Sequence, residues 1–175
     1  PNEITLVLAL DACSNLSCLE NGRAIHDKAT ELGVEKNIFV ENALVDMYGK
    51  CGSLEDALTV FNSMKKRDIV SWTAMVAAYA RNGHSSRALE IFRMMTLQGV
   101  DMNDITFVNA IFACSHSGML VSGLDFFSRL HPDFGIVPRP SHYICMVELL
   151  ARIGQVDMAV DLIESMPYEP DAVAW

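Results

Sequence analysis

Five stretches of the chain repeat one pattern at unequal intervals. Aligned on Ala12-Cys13, Met47-Tyr48, Ala78-Tyr79, Ala113-Cys114 and Leu149-Leu150, the repeats begin at Pro1, Lys36, Arg67, Met102 and Pro138. Their spacings are 35, 31, 35 and 36 residues. A period near that size is the mark of a solenoid, in which each repeat buries its apolar face only against its neighbours. Two positions test the register. Position 17 reads Ser17, Gly52, Gly83, Gly118 and Gly154, and position 22 reads Gly22, Ala57, Ala88, Gly123 and Ala159, all small. The reading is therefore five stacked modules with a continuous core rather than one globule of 175 residues.

Composition sets the bounds on that array. Hydrophobic residues make up 51% of the chain, ample for a packed protein and too many for a disordered one. The longest uncharged apolar stretch, Ile69 to Ala80, falls far short of the roughly 18 residues a bilayer crossing needs. No signal peptide is visible. The chain opens inside a repeat at Pro1, which points to a piece of a longer protein whose targeting segment lies outside it. Five cysteines (Cys13, Cys18, Cys51, Cys114 and Cys145) are odd in number and form no CxxC pair, so buried thiols in a reducing compartment are favoured over a disulfide framework or a zinc site. The net charge of −9 argues against polyanion binding by the whole surface. Any nucleic-acid contact needs local positive charge.

Each repeat reads as a helical hairpin. In Asn37–Lys50 and Asp68–Arg81 apolar residues recur at helical spacing, and a glycine follows at Gly52 and Gly83, fitting a left-handed helix end. Ser53-Leu54-Glu55-Asp56 then reads as a capping box, as does Ser17-Cys18-Leu19-Glu20 in the first repeat. The second helix carries its own stripe: Ala57, Leu58, Val60, Phe61 and Met64 match Ala88, Leu89, Ile91, Phe92 and Met95, and again Ala159, Val160, Leu162, Ile163 and Met166. Such a methionine-rich stripe predicts core packing ahead of a binding surface. Three long repeats close on a glycine turn at Gly33, Gly99 and Gly135. The 31-residue repeat lacks one and runs straight through Met64-Lys65-Lys66-Arg67. With no strand alternation anywhere, the predicted fold is all-α.

Tetratricopeptide repeats also place Ala and Phe four apart in their second helix, as at Ala57/Phe61 and Ala88/Phe92. Their first helix, however, carries a Trp and a Leu-Gly pair missing here, and their period is constant. Alternating lengths resemble instead the pentatricopeptide repeat (PPR) proteins of plants, in their PLS subclass. The residues that carry the resemblance are Asn42-Ala43-Leu44-Val45-Asp46-Met47-Tyr48-Gly49-Lys50-Cys51-Gly52 for a short S repeat and Asp68-Ile69-Val70-Ser71-Trp72-Thr73 with Ala77-Ala78-Tyr79 for a P repeat. Asp104-Ile105-Thr106-Phe107 with Ala113-Cys114-Ser115-His116-Ser117-Gly118 resembles a last L repeat. His142-Tyr143-Ile144-Cys145-Met146-Val147 with Ser165-Met166-Pro167 resembles the closing S repeat, and Pro170-Asp171-Ala172-Val173-Ala174-Trp175 the start of an E extension. The resemblance implies a right-handed superhelical solenoid ordered L (1–35), S (36–66), P (67–101), L (102–137), S (138–169), with the extension from 170.

That resemblance assigns roles by register. Repeats of this kind take one base of an unstacked RNA strand each, through two or three side chains. Position 7 supplies the first: Val7, Asn42, Thr73, Val108 and Ile144. Position 2 of the following repeat supplies its partner: Asn37, Asp68, Asn103, Arg139 and Asp171. Asn42 with Asp68 is the pair the family associates with uridine, and Thr73 with Asn103 the pair for adenosine. Val7/Asn37, Val108/Arg139 and Ile144/Asp171 depart from the pairing pattern. Position 4 holds Ile4, Phe39, Val70, Ile105 and Ser141. In the family the apolar residues here sandwich the base, Phe39 with Val70 and Val70 with Ile105; the other reading is that they pack between repeats. Position 15 supplies cations at Lys50, Arg81 and Arg152, beside Asn15 and His116. They suit a phosphate contact, and equally the negative end of a helix.

No catalytic, metal or cofactor site is read. The deaminase signature HxE…PCxxC is absent, and a deaminase-like domain would lie beyond Trp175. Acidic pairs such as Glu55-Asp56 fit helix-start charges better than an acid/base dyad. The expectation is a single-stranded RNA-binding module of a mitochondrial or chloroplast RNA-processing factor, specifying a site of C-to-U editing. With the N-terminus toward the RNA 5′ end, its second and third repeats would read U then A, upstream of the edited cytidine. The alternative is a protein-interaction scaffold that binds an accessory editing factor or a peptide through the L repeats. No membrane contact is expected.

Overall fold

The computed structural model describes residues 2–168, whose chain alternates helix and turn ten times without a strand. In chain order the helices are α1 Glu3–Leu16, α2 Leu19–Glu31, α3 Ile38–Lys50, α4 Leu54–Ser63, α5 Ile69–Arg81, α6 Ser85–Leu97, α7 Asp104–Ser117, α8 Leu120–Phe134, α9 Pro140–Arg152 and α10 Val156–Glu164. They fall into two bodies, Pro1–Asn82 with α1 to α5 and Gly83–Trp175 with α6 to α10. In the first body α1, α3 and α5 pack side by side, with α2 and α4 behind. In the second, α7 and α9 do the same, with α6, α8 and α10 behind.

Position 2 starts the first helix of most repeats. The side chains of Asn2, Asn37, Asp68 and Asn103 accept from the amides of Thr5 (3.0 Å), Phe39 (3.0 Å), Ser71 (2.9 Å) and Thr106 (3.0 Å), each satisfying a donor the helix leaves orphaned. The second helices are held differently, and here the capping boxes read from the sequence need correction. Ser17 is not a cap of α2 but the left-handed end of α1 (φ 52°), and Cys18 stands before α2 with no side-chain cap. Ser53 precedes α4, yet its hydroxyl donates to the Asp56 carboxylate (2.7 Å) instead of accepting from the backbone. Position 17 does that work. All five of its residues have positive φ, and the next amide bonds back to the first helix, as in Ser53 N–H to Tyr48 O (2.9 Å) and Met119 N–H to Cys114 O (3.0 Å).

The short repeat closes without its glycine turn through Arg67. Its Nε donates to Phe61 O (2.9 Å) and its Nη2 to Asn62 O (3.2 Å), while the guanidinium lies 4.5 Å from the centre of the Phe61 ring. One side chain thus occupies the last carbonyls of α4, as main-chain bonds such as Val34 N–H to Ala29 O do elsewhere. The missing residues leave no orphaned acceptor at those two carbonyls.

Core positions follow the predicted stripes in part. Ala57, Val60, Phe61, Met64, Ala88, Leu89, Phe92, Met95, Ala159 and Ile163 are buried, whereas Leu58, Ile91, Val160, Leu162 and Met166 at the stripe edges are half-buried. The methionines at 64 and 95 thus pack inside, and the third does so only partly. Smallness at position 22 has a steric cause: a Cβ on Gly22 would run into Met47 Sδ, and one on Gly123 into Leu149 Cδ2. A third close approach went unpredicted. Gly49 in α3 faces Ala78 of α5, where an added Cβ would sit 2.5 Å from the Ala78 Cβ. Of the cysteines, Cys13, Cys114 and Cys145 are buried, and burial pushes the Cys114 and Cys145 thiols up to about 12.

Two histidines make the fold acid-sensitive. His142 is fully buried; the Arg139 amide donates to its Nδ1 (3.0 Å), so the ring is neutral and its Nε2–H donates to Asp104 O (3.0 Å). His26 bonds Tyr48 Oη (2.8 Å). Burial lowers both pKa values below the ordinary 6.5. The unfolded chain therefore takes up protons first as pH falls below 6.5, so stability is complete above that value and is lost toward the lowered pKa values. Thermal melts followed by circular dichroism should show Tm falling from pH 7 to pH 5, with a smaller fall in the double variant His26→Gln/His142→Gln. An equal fall in both proteins contradicts the assignment.

Candidate nucleic-acid interface

Four large apolar side chains stand in solvent at one register position. Ile4, Phe39, Val70 and Ile105 are 69%, 70%, 53% and 56% exposed, each in the first turn of its helix, and Ser141 at the same place is also exposed. Packing between repeats does not account for them, since packed residues would be covered. Single exposed apolar residues are ordinary; here they recur at one register position, Ile4, Phe39 and Val70 in the first body and Ile105 in the second. In the first body Ile4, Val7 and Leu8 of α1 and Phe39 of α3, with Glu3, line a depression of about 300 Å³.

Beside Phe39 and Val70 lies a polar group of three, Asn42 and Ser71 buried and Asp68 partly exposed. Asn42, one helical turn from Phe39 in α3, is only 8% exposed, and its Nδ2 donates to Asp68 Oδ1 at 3.2 Å. The Ser71 Oγ lies 2.7 Å from Asn42 Oδ1 and 2.9 Å from Asp68 Oδ1, and the Ser71 amide donates to the same Asp68 oxygen. Asp68 is itself the N-cap of α5, so one residue starts a helix and pairs with its neighbour's side chain. Burial works against its charged form, but hydrogen bonds from the Ser71 amide and hydroxyl, the Asn42 amide and the Val70 amide outweigh it and hold the carboxyl below its ordinary value. A fixed anion and an oriented amide thus sit next to two exposed apolar faces. Such a group sets a hydrogen-bond donor and an acceptor side by side.

The remaining predicted residues fall out as follows. Asn37 caps α3 through Phe39 N–H, and Val7 lies in the apolar depression. Thr73, half-buried on α5, belongs to the first body, and Asn103, N-cap of α7, to the second. Val108 and Ile144 are half-buried, on α7 and α9. Arg139 Nη1 forms an ion pair with Asp104 Oδ2 at 3.0 Å. Asp171, and the extension expected from 170, lie outside the described residues. Lys50, Arg81 and Arg152 are the last residues of α3, α5 and α9, where a cation also suits the helix dipole. Lys50 is not idle there: its Nζ is 2.6 Å from Asp46 Oδ2. Among the described residues no cluster of three or more His, Cys, Asp or Glu side chains is arranged to hold a metal ion.

Sequence reasoning missed Ser71. Its signal was present as the fourth residue of Asp68-Ile69-Val70-Ser71, a capping box in which the Asp68 amide donates to Ser71 Oγ (3.2 Å).

The chain is similar to known proteins along its whole length. The PPR repeat family matches residues 67–116, and the PPR repeat matches 42–69 and 141–169. A mitochondrial pentatricopeptide repeat-containing protein of Arabidopsis thaliana is 45% identical over 99% of the chain and 27% of its own length. The chloroplastic pentatricopeptide repeat-containing protein ELI1 of the same plant is 43% identical over 100% of the chain and 28% of its own. The chain thus spans about a quarter of the relatives it matches. In solved structures, PPR10 in complex with an 18-nt psaJ RNA element superposes with a TM-score of 0.83 at 19% identity, covering 99% of this chain and 26% of that one. The PPR domain of Arabidopsis thaliana protein-only RNase P 1 bound to tRNA gives 0.72 at 14%, covering 98% and 94%. At such identities the likeness shows the fold: an all-helical PPR array.

Proposed function

The chain is built of pentatricopeptide repeats, and we propose that it forms part of the single-stranded RNA-binding surface of a mitochondrial or chloroplast RNA-processing factor. The observation that carries this reading is Asn42 hydrogen-bonded to Asp68 beside the exposed Phe39 and Val70. A base stacked on those side chains gains on the order of 1–3 kcal/mol. The Asn42 amide has a second N–H to offer a base carbonyl, and the Asp68 carboxylate accepts from a ring N–H. Uridine carries both, a carbonyl and N3–H; cytidine has a lone pair at N3 instead. Between the two pyrimidines the pair therefore favours uridine. The repeats select RNA and leave chemistry to other parts of the protein. The finer reading is a PLS-type tract that specifies a C-to-U editing site, supported by the L-S-P-L-S order of repeat lengths and the Asn42/Asp68 and Thr73/Asn103 pairs.

The double variant Asn42→Thr/Asp68→Asn recreates the Thr73/Asn103 combination in the second repeat. In fluorescence anisotropy with oligoribonucleotides that vary one base, it should move the preference at that base from uridine to adenosine. Relative affinities that stay the same for all four bases sink the coding role.

A second reading has one observation in its favour. In the second body Phe92, Leu97, Val121 and Phe126 of α6 and α8 line a depression of mixed character together with Arg93, Asp125 and Arg129, with Leu97 and Val121 exposed, away from the register positions named above. Val121 belongs to the fourth, L-type repeat, so this surface suits an accessory protein. Binding to such a partner would survive high salt, whereas phosphate contacts would not.

A further inference from the structure

We infer that Ser71 is a specificity-positioning residue for the second repeat, holding the Asn42 amide in the orientation that reads a base. This rests on the base-reading role proposed above for Asn42 and Asp68. An asparagine side chain presents a donor or an acceptor according to its rotation, so a reader made of asparagine is only as selective as the restraint on that rotation. Two restraints are in place. Asp68 takes one hydrogen of Nδ2, and Ser71 Oγ shares its single hydrogen between Asn42 Oδ1 (2.7 Å, the shorter contact) and Asp68 Oδ1 (2.9 Å). With both ends tied, the second Nδ2 hydrogen is the group left for a ligand. Remove the hydroxyl and the amide hangs from Asp68 alone, with its oxygen buried and unpaired. Rotation toward solvent relieves that cost and brings the oxygen forward as an acceptor. An acceptor there suits the N4 amino group of cytidine, so discrimination between the two pyrimidines weakens.

The order of residue types along the chain supports the assignment independently. Ser71 is position 5 of its repeat, and that position reads Thr5, Val40, Ser71, Thr106 and His142. A polar position 7 is followed in the next repeat by a hydroxyl at position 5: Asn42 by Ser71, Thr73 by Thr106. An apolar position 7 is followed by none: Val7 by Val40, Val108 by His142. Helix capping alone does not explain this. Asn37 and Asn103 both cap their helices, yet Val40 follows one and Thr106 the other. Ser71 is also completely buried, so its hydroxyl touches no ligand and acts only through Asn42 and Asp68.

The test measures affinity for RNAs carrying U or C at the base read by the second repeat, in the wild-type chain and in Ser71→Ala, Ser71→Thr and Ser71→Cys. The U-over-C ratio should fall about 3- to 10-fold in Ser71→Ala, the worth of one hydrogen bond, with most of the change in tighter cytidine binding. Ser71→Thr, which keeps the hydroxyl, should restore it. Ser71→Cys, similar in size with a weak donor, should fall between, and it decides the matter if the alanine variant does not fold. A wild-type uridine preference that Ser71→Ala or Ser71→Cys keeps in full overturns the inference and leaves the base-reading role standing. An equal loss for both bases overturns it too, marking Ser71 as structural. A wild-type chain that binds RNA with no uridine preference, or not at all, removes the base-reading role, and the inference with it.

Discussion

Phe107→Ala should destabilise the second body by about 3–5 kcal/mol, the range for removing a buried aromatic ring. Phe107 is almost fully buried in α7, and its ring meets Phe92 at 5.4 Å and Phe134 at 4.7 Å, both edge to face. Phe92 in turn contacts Phe126 at 4.9 Å, so four rings from α6, α7 and α8 share one cluster. Deleting the central ring removes apolar burial and two ring contacts together, and neighbouring rings cannot collapse into the space without leaving each other. Since whole domains are stable by only about 5–15 kcal/mol, the loss is large. Urea titration should show it, and hydrogen exchange should locate it in α7 and α8. A loss below about 1 kcal/mol would mean that the cluster is not packed as described.

The second large effect concerns phosphate contact. Replacing Lys50, Arg81 and Arg152 together with Gln should weaken RNA binding by about 10- to 100-fold near 0.1 M salt. It should also flatten the dependence of log K on log salt by about 2, since each single-strand phosphate contact contributes roughly 0.7. On a chain of net charge −9 the remaining surface offers no compensation. The three residues will not contribute equally. Lys50 already spends its charge on Asp46, and a phosphate must compete for it. Asp46→Asn should therefore tighten binding in the otherwise unchanged chain. An unaltered salt slope in the triple variant would remove these residues from the interface and leave their helix-end role.

What the sequence disclosed depended on whether the cause lay within one repeat. Position 17 was readable because a left-handed helix end excludes most side chains, and all five of its residues have positive φ. Position 22 was readable because close packing leaves only Gly or Ala. The N-caps at Asn37 and Asp68 follow from local hydrogen bonding and set the helix starts to the residue. Contacts between repeats were harder. Gly49 looked like any helical glycine until Ala78 was brought against it. Ser53-Leu54-Glu55-Asp56 had the letters of a capping box, but Arg23, 33 residues earlier, pairs with Asp56 at 2.8 Å and helps hold its carboxylate beside the Ser53 hydroxyl. Asn42 and Asp68 were paired only by resemblance, and their hydrogen bond, with Ser71 as its third member, required the packing of α3 on α5. The Asp46–Lys50 pair, at the four-residue spacing of a helix, was legible and went unread.

Arg67 gives the unequal spacing a practical consequence. Where the long repeats end by folding the main chain around a glycine, the short second repeat ends on one guanidinium that grips two carbonyls. A repeat boundary is thus replaceable hardware, exchangeable between four residues of backbone and one side chain without disturbing the residues that face the core. For anyone assembling such arrays, unit length becomes an adjustable setting. Splicing a glycine turn in place of the Arg67 grip would lengthen the second repeat while keeping its Asn42 reader, so that spacing and base choice could be tuned on separate dials.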